Sequence, residues 1–226
     1  MPKKKSKEIR KVMIATPCHD GKMDAWFTNS ILHTDRICRE KNIEIDPVYL
    51  CFESILAKAR NDLFRHAYIN DYDDVVYIDN DIIWSPEKFI RLISHKVDFV
   101  AGVYPKKSNI EEYPVNIMPD NIKVEDGLME VATVPTGFLR LSKNAIKKLW
   151  NTSLSYTVSN SKDENKMVFE NGIIGERFMS EDVILCLKWR ELGHKVYLDT
   201  QITLDHSGKN IWSGDFSKYL DKINPK

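Results

Sequence analysis

The sequence lacks a charge bias, a metal-type cysteine spacing and a long apolar run, and each lack removes a class of function. Lys+Arg and Asp+Glu stand at 33 each. No global field therefore draws the chain to nucleic acid or to an anionic membrane, and any anionic ligand needs a local site. The four cysteines, Cys18, Cys38, Cys51 and Cys186, are widely separated and never form C-x-x-C. Neither a zinc knuckle nor a disulfide framework is indicated, and a reducing, cytoplasmic setting is expected. No apolar run approaches the roughly eighteen residues of a membrane span, and the N-terminus has no apolar signal segment, so integral membrane association is not expected. No repeat, low-complexity block or internal linker breaks the chain.

What is present reads as alternating strands and helices behind a basic tail. Six of the first eleven residues, "MPKKKSKEIRK", are Lys or Arg, and residues 1–10 read as a flexible segment ahead of one domain over 11–226. "KVMIAT" is a short buried strand stopped by Pro17, followed by a helix over about 23–41. "IEIDPVYL" is a second strand that Pro47 assigns to an edge or bulge. Leu56, Ala59, Leu63 and Ala67 recur at helical spacing, which predicts an amphipathic helix. "DDVVYI" and "VDFVAGV" are continuously apolar, as central parallel strands are, and Ser85-Pro86 opens the helix between them. This order predicts an α/β fold with a Rossmann-like, mostly parallel half over about 11–104.

The second half is less regular. "DGLMEVATV" reads as a turn and strand, "GFLRLS" as a strand, "KNAIKKLW" as a short helix, and "SNSKDENK" (159–166) as a mobile loop. A helix over about 181–191 ends at Gly193, and "KVYLD" and "ITLDH" read as two closing strands.

The chemistry concentrates at "YIDNDIIW". A buried strand ends on Asp79-Asn80-Asp81, two like charges that resist desolvation unless a cation or a set of donors meets them. In open α/β sheets ligands lie beyond the carboxyl ends of the strands, and Asp-x-Asp at such an end can hold a divalent cation and, through it, a diphosphate. In "PTGF", Gly137 lets backbone approach a ligand closely. "YPKK" puts Lys106 and Lys107 past another strand end, where residue type alone assigns neither a role.

Taken in order, "ATPCHDGK", "AKARNDLF", "YIDNDIIW", "AGVYPKK", "PTGFLRLS", "MSEDVILCLKWRELGHKVYLD" and "LDHSGKNIW" resemble the GT-A fold glycosyltransferases over about 11–212. The resemblance implies a metal-dependent enzyme of the hexosyltransferase class. Its donor would be a nucleoside diphosphate sugar, UDP-linked first and GDP-linked second, and its acceptor a carbohydrate or glycan hydroxyl. Thr16 and Pro17 would lie under the nucleobase. Arg60 and Asn61 would contact the donor, and Asp79 and Asn80 would serve the ribose or the metal shell. Asp81 and His206, with Asp79, would hold Mn²⁺ or Mg²⁺, and Lys209 would meet a phosphate. Glu181 and Asp182 would face the acceptor, Asp182 taking the hydroxyl proton. Gly208 and Lys209 follow His206 more closely than in the His-x-x-Gly-x-x-Lys form of some retaining members.

Two other classes share part of this pattern. A sugar nucleotidyltransferase would have the α/β half and the metal, but also a glycine-rich loop after the first strand, where "TPCHDGK" has Gly21 alone. A catalytically idle nucleotide- or carbohydrate-binding module would have no need of Asp182.

Overall fold

The computed structural model describes residues 9–118, 122–158 and 162–224. Its centre is an eight-stranded sheet built from β1 (Arg10–Cys18), β2 (Ile43–Cys51), β3 (Asp74–Ile78), β5 (Phe99–Val103), β6 (Val124–Glu125), β7 (Leu128–Val131), β8 (Phe138–Ser142) and β13 (Val196–Thr203). The spatial order is β2-β1-β3-β8-β5-β13-β7-β6. β2, β1 and β3 pair parallel, β8 is antiparallel to both β3 and β5, and β13 is parallel to β5. β2, β1, β3, β5 and β13 thus run one way, as does the two-residue β6 at the far edge, while β8 and β7 run against them.

Side chains alternate across the strands. Val12, Ile14, Val76, Ile78 and Val100 face α1 (Ala25–Glu40) and α3 (Pro86–Ser94), which contribute Phe27, Ile31, Phe89 and Leu92. Met13, Ala15, Val75, Tyr77 and Phe99 face α2 (Leu56–Ile69), α4 (Lys143–Thr152), α5 (Glu181–Glu191) and α6 (Phe216–Ile223), with Leu63, Leu149, Trp189 and Phe216 among the apolar partners. The sheet is therefore covered on both faces, which is why its central strands carry unbroken apolar runs. Each such side chain removed from water contributes about 1.5–3 kcal/mol before conformational entropy is set against it.

Several elements differ from the sequence expectation. The sheet is mixed, because β8 returns from the second half of the chain to lie between β3 and β5. Its Arg140 is buried and donates from Nε to Asp74 Oδ1 at 2.5 Å, while Arg10 Nε donates to Asp74 Oδ2 at 2.6 Å, so one buried carboxylate fixes β8 against the start of β3. Neither Ser85 nor Ser180 caps a helix with its side chain; the Ser85 carbonyl accepts from Lys88 and Phe89 instead, and the Ser180 hydroxyl donates to Asp182. In the segment expected to be a mobile loop, Glu164–Lys166 forms β10, paired with β9 (Ser155–Thr157); residues 159–161 lie outside the described residues. "VYLD" and "IT" fall in one strand, β13, with a register shift between Leu198 and Thr203, and after Leu204 the expected second strand continues as the separate β14 (Asp205–Ser207). The expected basic tail falls on 1–8, outside the described residues, and on Ile9 and Arg10, the second of which already begins β1.

Candidate donor and metal site

The site lies where β1, β3 and β5 end, in a cleft of about 290 Å³ lined by Pro17, His19, Glu53, Asp79, Asp81, Tyr104 and His206 among others. Asp79-Asn80-Asp81 turns out of β3 into β4 (Ile82–Ile83), with Ile82 N donating to Asp79 O at 3.1 Å. A small sheet carries the late histidine to this turn. β14 (Asp205–Ser207) pairs antiparallel with β4, placing His206 opposite Ile82, and Ser207 N donates to Asp81 O at 2.8 Å. β15 (Ile211–Trp212) is its other neighbour.

His206 and Asp81 meet there. His206 Nε2 lies 3.4 Å from Asp81 Oδ2, and the other ring nitrogen, Nδ1, lies 3.0 Å from Pro105 O. A carbonyl can only accept, so Nδ1 carries the proton in that contact, and Nε2 is the nitrogen on the Asp81 side: it donates to the carboxylate when it too is protonated and can bind a metal when it is not. A cation bonded to each atom at about 2.0–2.4 Å spans such a gap. Lys107 Nζ reaches the same oxygen, Asp81 Oδ2, at 2.5 Å. Burial alone would raise the Asp81 carboxyl, but the hydrogen bonds from His206 and Lys107 outweigh it and leave it below the ordinary carboxylate range. Among the described residues no group of three or more Asp, Glu, His or Cys is arranged to hold a metal. The protein's donors at this point are one carboxylate and one imidazole, a pair that suits a divalent ion whose remaining positions are filled by ligand oxygens.

Asp79 is engaged differently. Its Oδ1 accepts from Arg60 Nη2 at 2.9 Å, and Arg60 Nη1 pairs with Glu181 at the first turn of α5. Arg60 is buried and its Nε has no hydrogen-bond partner; burial would lower its pKa, but Asp79 and Glu181 hold it above its ordinary value. This bridge ties the Asp-x-Asp turn to α5. On the other side of Asp79, a Cβ on Gly137 would lie 2.7 Å from Asp79 Oδ2 and would collide with the Tyr104 hydroxyl. Only glycine fits, and Asp79 N donates to Gly137 O at 3.2 Å. Tyr104, buried between these groups, has its hydroxyl pushed well above its ordinary pKa by burial first and by the charges of Asp79, Asp182 and Asp81.

The remaining expected residues are distributed as follows. Pro17 lines the cleft, whereas Thr16 is buried beneath it with Oγ1 unpartnered. Asn80 lines the cleft too, but its Nδ2 donates to Lys22 O at 2.8 Å and its carbonyl accepts from Asp24 N at 3.2 Å, so it pins the turn to the loop after β1. Asn61, expected at the donor, faces away: its amide donates to Phe169 O and accepts from Phe169 N, each at 2.8 Å, inside the core. Glu181 is the partner of Arg60. Asp182 accepts from Val183 N at 2.8 Å and from the Ser180 hydroxyl at the helix start. Lys209 is exposed in the turn between β14 and β15, and the lysine at the carboxylates is Lys107. Tyr104 and Lys107 belong to the "YPKK" stretch after β5, which the sequence marked without assigning either residue a role; Gly137 next to Tyr104 is a second readable trace.

The sequence matches no family model and no curated protein. Among solved structures, A197 from STIV superposes with a TM-score of 0.58 at 15% identity, covering 90% of this chain and 93% of that one. The chain is also similar in structure to a mutant Drosophila β-1,4-galactosyltransferase 7 in complex with manganese, UDP-Gal and xylobiose, with a TM-score of 0.48, 12% identity, and coverage of 91% of this chain and 71% of that one. For S. aureus TarS in complex with UDP-GlcNAc the values are 0.49, 11%, 92% and 60%. The fold common to this chain and A197 is an α/β domain on a mixed sheet.

Proposed function

We propose that the chain is a glycosyltransferase of the GT-A type that moves a hexosyl group from a nucleoside diphosphate sugar to a carbohydrate hydroxyl. The observation that carries this reading is the meeting of His206 Nε2 and Asp81 Oδ2, 3.4 Å apart at the cleft, with the other ring nitrogen, Nδ1, 3.0 Å from Pro105 O. Asp81 and His206 would hold Mn²⁺, or Mg²⁺ less readily given the imidazole. Such an ion, when bound, supplies Lewis-acid stabilisation of the departing diphosphate.

The chain's own residues do the rest. Pro17 offers a flat apolar floor at the end of β1 for the base. Asp79, steadied by Arg60, keeps Oδ2 beside Gly137 to accept from a ribose hydroxyl. Asp182, beside the Glu181 that Arg60 ties to Asp79, is assigned the proton of the attacking hydroxyl. The buried Arg60 fixes the distance between the two acidic groups by holding Asp79 and Glu181 at once.

The test is calorimetric titration of UDP and GDP with and without Mn²⁺. Wild type is expected to bind one of them in a Mn²⁺-dependent manner, Asp81→Ala to lose that dependence, and His206→Ala to weaken it, all with unchanged circular dichroism. Equal Mn²⁺-dependent affinity in wild type and Asp81→Ala would remove the donor-site assignment.

A further inference from the structure

The cleft has a charge problem that a single divalent ion does not solve. Asp20, Glu53, Asp79 and Asp81 all line it, so a diphosphate entering there meets four carboxylates. The nearby cations are largely committed: Lys58 is held between Glu53 at 2.6 Å and Asp62 at 3.0 Å, and Arg60 is buried between Asp79 and Glu181. Lys22 is exposed and reaches Asp20 at 3.9 Å. Lys107 differs from these. Its side chain is 36% exposed, it follows the end of β5 on irregular backbone, and its stem runs over Gly208, where an added Cβ would lie 3.4 Å from Cδ and 3.5 Å from Cε. Its ammonium sits on Asp81 Oδ2, the oxygen that also faces His206 Nε2.

We propose that Lys107 is a diphosphate-binding residue that is parked on Asp81 until a divalent ion takes that carboxylate, and then turns to a phosphate oxygen. The inference rests on the donor-site reading above. An ammonium and a divalent ion cannot share one carboxylate oxygen without mutual repulsion, so one displaces the other. The lysine stem is long and partly solvated, so release requires only side-chain rotation, and a phosphate oxygen accepts from an ammonium as well as a carboxylate does. The exchange keeps Asp81 neutralised in the empty protein and adds a positive charge beside the diphosphate in the filled one.

Two titrations of full-length Lys107→Met test it. Without nucleotide, Mn²⁺ binding followed by the electron paramagnetic resonance of the free ion is expected to be roughly fivefold tighter than in wild type, the effect of removing a partly exposed ion-pair competitor. At saturating Mn²⁺, calorimetric affinity for UDP, or for GDP where that binds better, is expected to fall roughly tenfold. Unchanged Mn²⁺ affinity overturns the proposal, and so does unchanged nucleotide affinity. Asp81→Ala separates the two levels of failure. If wild type binds Mn²⁺ and nucleotide, Asp81→Ala abolishes both, and Lys107→Met behaves as wild type, only the Lys107 inference fails. If wild type binds neither, the donor-site reading fails with it.

Discussion

At the scale of single residues, the two acids that open α5 divide their work. Glu181 is turned inward to Arg60, while Asp182 stays at the helix start under the Ser180 hydroxyl and Val183 N. On the proposed function, Asp182→Asn is expected to lower turnover by roughly a hundredfold or more, the scale of losing a general base, with nucleotide affinity held within a few-fold. Glu181→Gln leaves the buried guanidinium short of one countercharge and is expected to show chiefly as lost stability, about 3 kcal/mol in urea unfolding. The sequence pattern pointed to Asp79 and Asp81 because they end an apolar strand and to Gly137 because a glycine admits close backbone approach, whereas His206 was a candidate only through the family resemblance. Residue type could not separate Glu181 from Asp182, because both suit the first turn of a helix equally well; the resemblance gave the proton to Asp182, and the position of Arg60 is what turns Glu181 inward. Asn61 illustrates the opposite case: it adjoins Arg60 in sequence, yet the helical turn between neighbours sends its amide to the backbone of Phe169.

At the scale of elements, periodicity located the strands and helices that are buried on a regular face and missed short ones with little burial. Ala59, Leu63 and Ala67 are buried on α2 as their spacing predicts, but Leu56, at the same spacing, lines the cleft and is 44% exposed, because the helix begins at the edge of the sheet. β9 with β10, and β11 (Gly172–Ile174) with β12 (Arg177–Met179), are short hairpins with little burial and so little pattern to read. One contact between elements has a pH consequence. Asp199 on β13 is fully buried and accepts from Arg91 Nε at 2.5 Å, with His95 Nε2 at 2.6 Å, joining β13 to the end of α3. Burial would raise this carboxyl, but the bonds from His95 and Arg91 hold it below its ordinary range. The unfolded chain then binds the proton more readily, so the contribution is full above an unfolded pKa of about 3.9 and is lost as pH falls through the lower folded value. Asp199→Asn is expected to cost about 1–3 kcal/mol near neutral pH, less than a wholly buried pair because the Arg91 side chain is 34% exposed. The difference between wild type and variant should vanish in acid, as checked by thermal unfolding from pH 7 to pH 2.

At the scale of the whole molecule, the alternation of strands and helices over the first hundred residues correctly announced an α/β sheet. What it concealed was adjacency. β3 and β5 follow one another in the chain with α3 between them, yet they never touch as partners: β8 separates them, with Leu139 opposite both Tyr77 and Ala101. A pattern of apolar residues reports that a strand is buried, not which strand lies beside it. The inserted strand also sets the order in which the protein can be made. As the chain leaves the ribosome, β1, β2 and β3 can pair at once, but β5 must wait, its backbone groups unsatisfied on both sides, until the residues of β8 and then β13 have emerged. A fragment ending at Met118 is accordingly expected to lack a cooperative urea transition and to aggregate, whereas a self-contained Rossmann-like half would fold alone; a soluble fragment with a sharp transition would contradict this. Nascent chains between those two lengths carry an open seam through the middle of their sheet, and it is there, rather than at the cleft, that a chaperone would find its binding surface.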